Sequence, residues 1–198
     1  MVEFFQYMDT RLLLYINEGH TPILDSLMWW ISDKYIWIPF YVLLIFATIM
    51  KLGRQSIPLL LFIVVLILIS DQVASGILKP MVQRLRPSHE PNVQYMLHYV
   101  NNYKGGLYGF VSSHSMNAFA LSFYFLFSIG NKIKWIPAVL FPWAVLLAYS
   151  RVYLGVHYPS DVLVPVLLSC PIAYGVSRLQ KWTTQKYLLN QTIEKSHS

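Results

Sequence analysis

The chain reads as an all-α, polytopic membrane helix bundle of about five to six transmembrane helices with an N-terminal amphipathic helix, and three observations predict it. Of 198 residues, 56% are hydrophobic and 12% charged, about half the roughly 25% charged share of soluble domains. Apolar runs recur: residues 57–69, IPLLLFIVVLILI, carry no charge, and others cover 35–50, 113–130, 135–150 and 158–177. With their ends included, these approach the roughly 20 apolar residues that cross a bilayer as a helix. The loops between runs also differ in positive charge, as the two sides of a membrane protein do.

In order, residues 1–20 place Phe4, Phe5, Met8, Leu12, Tyr15 and Ile16 on one helical face, the pattern of a helix lying in the membrane surface. Glu3 and Asp9, with no basic start and no small-residue cleavage site, exclude a secretory signal peptide. Spans are expected at about 27–50, 56–79, 112–130, 134–151 and 159–178. Asp33 and Lys34 interrupt the first, so either one long helix runs through them or a short interfacial helix precedes it, which is where a sixth span could arise. The single cysteine, Cys170, excludes a disulfide framework and a thiol-rich metal site. A polar tail, 180–198, closes what reads as one membrane domain over 1–198, its last residues expected to be disordered.

The net charge of +6 is uneven. Lys51, Arg54, Lys132, Lys134, Arg178, Lys181, Lys186 and Lys195 share one side with the C-terminus, which the excess of Lys and Arg in cytoplasmic loops makes the inner side. The 80–111 loop then faces outward, and so do three polar clusters: KPMVQRLRP at 79–87, GFVSSHS at 109–115 and SRVYLGVHYPSD at 150–161. Polar groups at membrane depth are costly and face a cavity or one another, so three clusters at one face point to a single site. Lys79, Arg86 and Arg151 are cations without as many acids nearby. Ser112 and Ser113 cap a helix whose first amides can face an anion. Guanidinium forks and helix-start amides together suit phosphate. His114 and His157 supply a nucleophile and a proton donor, and Asp161, just after Pro159, is placed to fix one imidazole. The residues alone do not say which histidine does which.

At these residues the chain resembles the type 2 phosphatidic acid phosphatases (PAP2), which share a site architecture with vanadium-dependent haloperoxidases. The family pattern is K-x6-R-P, P-S-G-H and S-R-x5-H-x3-D. Lys79, Arg86 and Pro87 match the first part; Ser150, Arg151, His157 and Asp161 match the third. The second reads Val111, Ser112, Ser113, His114, departing at two of four positions, of which Ser113 for Gly is the one expected to tune activity. The resemblance implies a PAP2/haloperoxidase-like core and a membrane-bound, metal-independent phosphatase with no cofactor. In it His157 attacks phosphorus to form a phosphohistidine, Asp161 orients His157, and His114 protonates the leaving oxygen and then assists water. Lys79, Arg86, Arg151, Ser112 and the amides near Ser113 and His114 hold the phosphate oxygens. Arg84 is a candidate headgroup contact. His89 and His98 lack a metal-ligand pattern, and the long 88–110 stretch is expected to shape headgroup choice. Candidate substrates are undecaprenyl pyrophosphate, a lipid A phosphate, phosphatidylglycerol phosphate and phosphatidic acid. A phosphotransferase using an alcohol acceptor, and a silent binder of anionic lipid, are the alternatives. Expected partners are the lipid phosphate and the bilayer, not nucleic acid. The expected location is a bacterial cytoplasmic membrane with the site on the extracytoplasmic face.

Overall fold

The computed structural model describes residues 2–196, with side chains over 3–187. Among the described residues the regular elements are helices, with one long loop over 83–112: α1 (Val2–Glu18), α2 (Pro22–Ser32), α3 (Ile38–Leu52), α4 (Ser56–Asp71), α5 (Lys79–Val82), α6 (Ser113–Ile129), α7 (Trp135–Tyr153) and α8 (Pro159–Ser196). A π-helical stretch, Gln72–Leu78, joins α4 to α5 without a break.

Asp33 and Lys34 do break the first apolar segment. Thr21 caps α2, accepting from the Leu24 amide at 3.2 Å, and Pro22 sits in its first turn, where no amide hydrogen is needed. The helix stops before Asp33, and α3 restarts at Ile38. A single long helix from 27 to 50 is thereby replaced by a short helix followed by a longer one.

Among the described residues, three helical stretches are long and apolar enough to cross a membrane: Ile38–Val82, Trp135–Tyr153 and Pro159–Tyr187. The first has 45 residues, which if straight would reach about 68 Å, over twice the roughly 30 Å apolar thickness of a bilayer. Gly53, at φ +53°, breaks it into α3 and α4. The turn needs that conformation, which glycine adopts without steric cost.

The inner helix is α6, ten of whose 17 residues are buried. Small residues on it, Ala118, Ala120 and Ser122, let neighbours approach closely. Buried polar groups then join the helices. Ser122 donates to Ala118 O at 2.8 Å and to Leu140 O of α7 at 3.1 Å, and the Tyr124 hydroxyl donates to Leu59 O of α4 at 3.0 Å. At one end of the bundle, Lys132 reaches Gln55 at 3.3 Å and Lys181 reaches Phe127 O at 2.7 Å, gathering basic residues that the sequence assigns to a common side. The other end carries α1, α2, the 83–112 loop and the α7–α8 turn. There α1 seats Leu13 and Asn17 in the bundle while Phe4, Phe5, Met8, Leu12 and Tyr15 face outward. The polar tail continues α8 as a helix to Ser196. Residues 197 and 198 lie outside the described residues.

Candidate active site

The three polar clusters meet. The π-helical stretch delivers Lys79 to the start of α5, and its Nζ lies 3.5 Å from Ser75 Oγ and 3.3 Å from Ser113 Oγ at the start of α6. The hydroxyl that replaces the family glycine thus tethers the first cation of the site. After α5 the chain turns through Gln83, at φ +50°, into an extended segment that bridges Leu85 to Tyr108. Backbone bonds Arg86 N–H to Leu107 O, 3.0 Å, and Gly109 N–H to Arg84 O, 2.9 Å, staple the two ends of the long loop together. In an extended segment residues two apart share a face, so Arg84 and Arg86 both turn inward.

Arg86 is 9% exposed and anchored through Nε to Tyr108 O, 3.2 Å, and Nη1 to Val156 O, 3.4 Å. Arg151, 3% exposed, donates to the Tyr103 hydroxyl at 3.1 Å and to Ser32 Oγ. Its Nε is buried without a protein partner among the described residues; a buried donor of this kind is expected to serve a ligand. Ser112 is the N-cap of α6: its oxygen accepts from the Ser115 amide, 3.4 Å, and hydroxyl, 3.2 Å, and its own amide donates to Asp161 O at 2.8 Å. The cap leaves the first amides of a 17-residue helix, beside Ser113 and His114, facing the cations.

His157 stands in the α7–α8 turn, 1% exposed, with Nδ1 at 3.6 Å from Asp161 Oδ2. That separation exceeds a hydrogen bond, and Nδ1 has no other partner among the described residues. Burial, and then the charges of Arg86 and Arg151, hold the imidazole well below its ordinary pKa, so its neutral form prevails. Asp161 is fully buried; Oδ2 accepts the Tyr158 amide at 3.0 Å and Oδ1 accepts from Arg84 Nη1 at 2.9 Å. A buried neutral imidazole beside a fixed carboxylate, ringed by cations and helix-start amides, can attack a bound phosphorus and shed the charge it gains.

Arg84, the candidate headgroup contact, is held by two acids of the protein. It spans Asp161, Ser160 Oγ at 2.7 Å and Asp9 Oδ2 at 2.7 Å, with its guanidinium carbon 3.9 Å above the Tyr158 ring. Asp9, Ser32 and Tyr103 lie outside the three polar clusters, and Gly109 opens the second of them with no role of its own assigned to it. The one signal for Asp9 was its stripe: Asp9, Leu13 and Asn17 recur every four residues on the face of α1 that packs inward. Ser32 and Tyr103 carry no local signal. Asp71 accepts from Ser75 at 3.4 Å within its own helix.

His98 sits with His20 and Asp25, not with His89. Its Nε2 meets Asp25 Oδ2 at 2.8 Å, and its ring stacks on His20 at 3.7 Å and 9°. These three are close enough to be considered for a metal, but the two rings lie in near-parallel, stacked planes, so in-plane lone pairs of both do not meet at one point. The group acts as a clasp, reinforced by Asn17, which accepts from His98 N–H at 2.8 Å and donates to His98 O at 3.0 Å. It ties the long loop to α1 and α2. From Ser113 and His114 a cavity of about 480 Å³ runs between the helices, lined by Trp37, Tyr41, Leu44, Ile63 and Trp143.

The chain matches the PAP2 superfamily over residues 60–185. It is 34% identical over 170 residues to the lipid A 4'-phosphatase of Bacteroides thetaiotaomicron, covering 85% of this chain and 75% of that one. It is 31% identical, again over 170 residues, to the undecaprenyl-diphosphatase of Sulfolobus acidocaldarius, covering 84% and 75%. The fold is similar to the crystal structure of a transmembrane PAP2-type phosphatidylglycerolphosphate phosphatase from Bacillus subtilis, with TM-score 0.63, 22% identity, and coverage of 91% of this chain and 86% of that one. With more than half its length in that match, two relatives above 30% identity and a helical membrane fold in common, the chain belongs to the PAP2 superfamily and is a membrane lipid phosphatase.

Proposed function

We propose that the protein removes a terminal phosphate from a lipid through a phosphohistidine on His157, without a metal. His157 attacks phosphorus, and Asp161 steadies the imidazolium that results. His114, at the junction of the cations and the apolar cavity, protonates the departing oxygen and then draws a proton from water. Lys79, Arg86, Arg151 and the first amides of α6 take the three non-bridging oxygens, supplying the charge stabilisation that phosphoryl transfer chiefly requires. Ser112 acts by capping those amides in place, and Ser113 by holding Lys79.

The single observation that carries the lipid reading is the cavity of about 480 Å³ that starts at His114 and is walled by Trp37, Leu44, Ile63 and Trp143. A phosphate pocket that opens into apolar space among helices suits a substrate whose head is charged and whose tail stays in the bilayer. Among candidate lipids we place a lipid A phosphate first, ahead of undecaprenyl diphosphate and phosphatidylglycerol phosphate, a reading supported by the similarity to a lipid A 4'-phosphatase. Five spans are inferred: α3, α4 with its π stretch and α5, α6, α7 and α8. In this reading α1 and α2 lie at the outer interface, and the basic loops and the C-terminus face the cytoplasm.

The test is phosphate release by purified protein in detergent with excess chelator, over lipid A, undecaprenyl diphosphate, phosphatidylglycerol phosphate and phosphatidic acid. Release from lipid A that survives chelation and disappears in His157→Ala is expected. Release abolished by the chelator would overturn the metal-free mechanism, and transfer to an alcohol without free phosphate would make the protein a phosphotransferase.

A further inference from the structure

We propose that Asp9, on the N-terminal helix, is a positioning residue for the reaction: through Arg84 and the first turn of α8 it holds the Asp161 carboxylate against His157. The inference rests on His157 as the nucleophile.

Consider how α8 begins. Pro159, Ser160 and Asp161 form its first turn, and the residue before them is Tyr158. A helix start leaves amides that a Ser, Thr, Asp or Asn at the cap would satisfy, and a tyrosine cannot reach back to them. Asp161 supplies part of the remedy, its carboxylate accepting the Tyr158 amide at 3.0 Å as the acid at the third helical residue of a capping box does. Asp9 supplies the rest from 151 residues away in sequence: Oδ1 accepts the Ser160 amide at 2.9 Å, and Oδ2 accepts the Ser160 hydroxyl. The catalytic carboxylate is therefore part of a cap that is complete only with α1 docked.

Charge points the same way. Arg84 bridges the two acids, Nη1 to Asp161 Oδ1 at 2.9 Å and Nη2 to Asp9 Oδ2 at 2.7 Å. Asp161 with Arg84 alone would be a neutral pair, with little left to stabilise an imidazolium. Asp9 adds a second negative charge, so the group of three carries net −1 and faces a histidine that must become positive. Asp9 is itself largely buried, its side chain 10% exposed, and Asp161 is at 0%, so water screens these interactions little.

The experiment is steady-state kinetics of Asp9→Asn, Asp9→Glu, Arg84→Gln and the double variant Asp9→Asn/Arg84→Gln, with inorganic phosphate as competitive inhibitor to report the phosphate pocket. Glu3→Gln, exposed on the same helix, is the control. Asp9→Asn is expected to lower kcat about 10- to 100-fold, the scale of a small misplacement at a reacting centre, with KM and phosphate inhibition unchanged. Asp9→Glu should fall between it and the parent, and the double variant should be no worse than the poorer single one. A full kcat in Asp9→Asn, or KM and phosphate inhibition weakening in step with kcat, overturns the assignment. If Asp9→Asn gives no folded protein, Asp9→Glu decides alone: lowered kcat with normal phosphate inhibition supports the role, and parental kcat refutes it. His157→Ala separates the two layers, since activity there removes the nucleophile itself, whereas a silent His157→Ala beside a fully active Asp9→Asn removes only the role of Asp9.

Discussion

His157 is buried to 1% exposure among cations, and what that does to its proton sets the pH range of the reaction. Charging an imidazole there means desolvating a cation and placing it near Arg86 and Arg151, so its pKa is lowered. A group with a lowered pKa is neutral at every pH above that lowered value. As a nucleophile it remains competent as pH falls through the ordinary histidine value near 6.5, and is lost only below. The acid limb of kcat/KM attributable to His157 is therefore expected below pH 6.5. Arg86→Gln removes one of the two leading cationic causes and should move that limb upward, even as the loss of a phosphate ligand lowers the maximum. A limb that stays put in Arg86→Gln would assign it to another group.

Among the elements, the 83–112 loop does the most unexpected work. It is stapled at Leu85–Tyr108, clasped at His98 by Asn17, Asp25 and His20, and it hands Tyr103 to Arg151. It also lays Gly109 against the catalytic turn. A Cβ there would stand 2.9 Å from Asp161 Oδ2 and 3.2 Å from Arg86 Cγ. Neither neighbour can yield easily, since Asp161 is held by Tyr158 and Arg84, and Arg86 by Tyr108 and Val156. Gly109→Ala is expected to displace the carboxylate and lower kcat about 100-fold, since a shift near 1 Å at a reacting centre has that scale. The folded fraction should be unaffected, because the strain is local; kinetics beside a thermal melt check it. An alanine variant with parental kcat would mean that the loop gives way instead.

For the whole molecule, what could be read from the chain divides along a physical line. Helices were legible because a membrane demands long apolar runs, and three clusters at one face followed from counting those runs. Lys79, Arg86, Arg151, His114, His157 and Asp161 lie in local patterns whose spacing is itself the signal, and the structure brings them together. The break at Asp33 was half legible: two charges in an apolar run pose the choice between one helix and two without deciding it. Asp9, Tyr103, Ser32 and the His20–Asp25–His98 clasp were not legible, because each contact joins segments far apart in sequence and nothing in either segment names its partner. Arg84 is the mixed case: beside a phosphate motif at a membrane surface it reads as a candidate headgroup ligand, and that spacing says nothing of its protein partners, Asp9 and Asp161, each more than 70 residues away in sequence.

The central claim is that phosphate passes through His157. The most direct measurement is rapid quench in alkali of enzyme turning over lipid labelled with radioactive phosphorus at the scissile phosphate, followed by peptide mapping. Label is expected on the peptide that contains His157, stable to base and labile to acid, and absent from His157→Ala. Label on a serine, stable to acid, or turnover in His157→Ala at the parental rate, would contradict it.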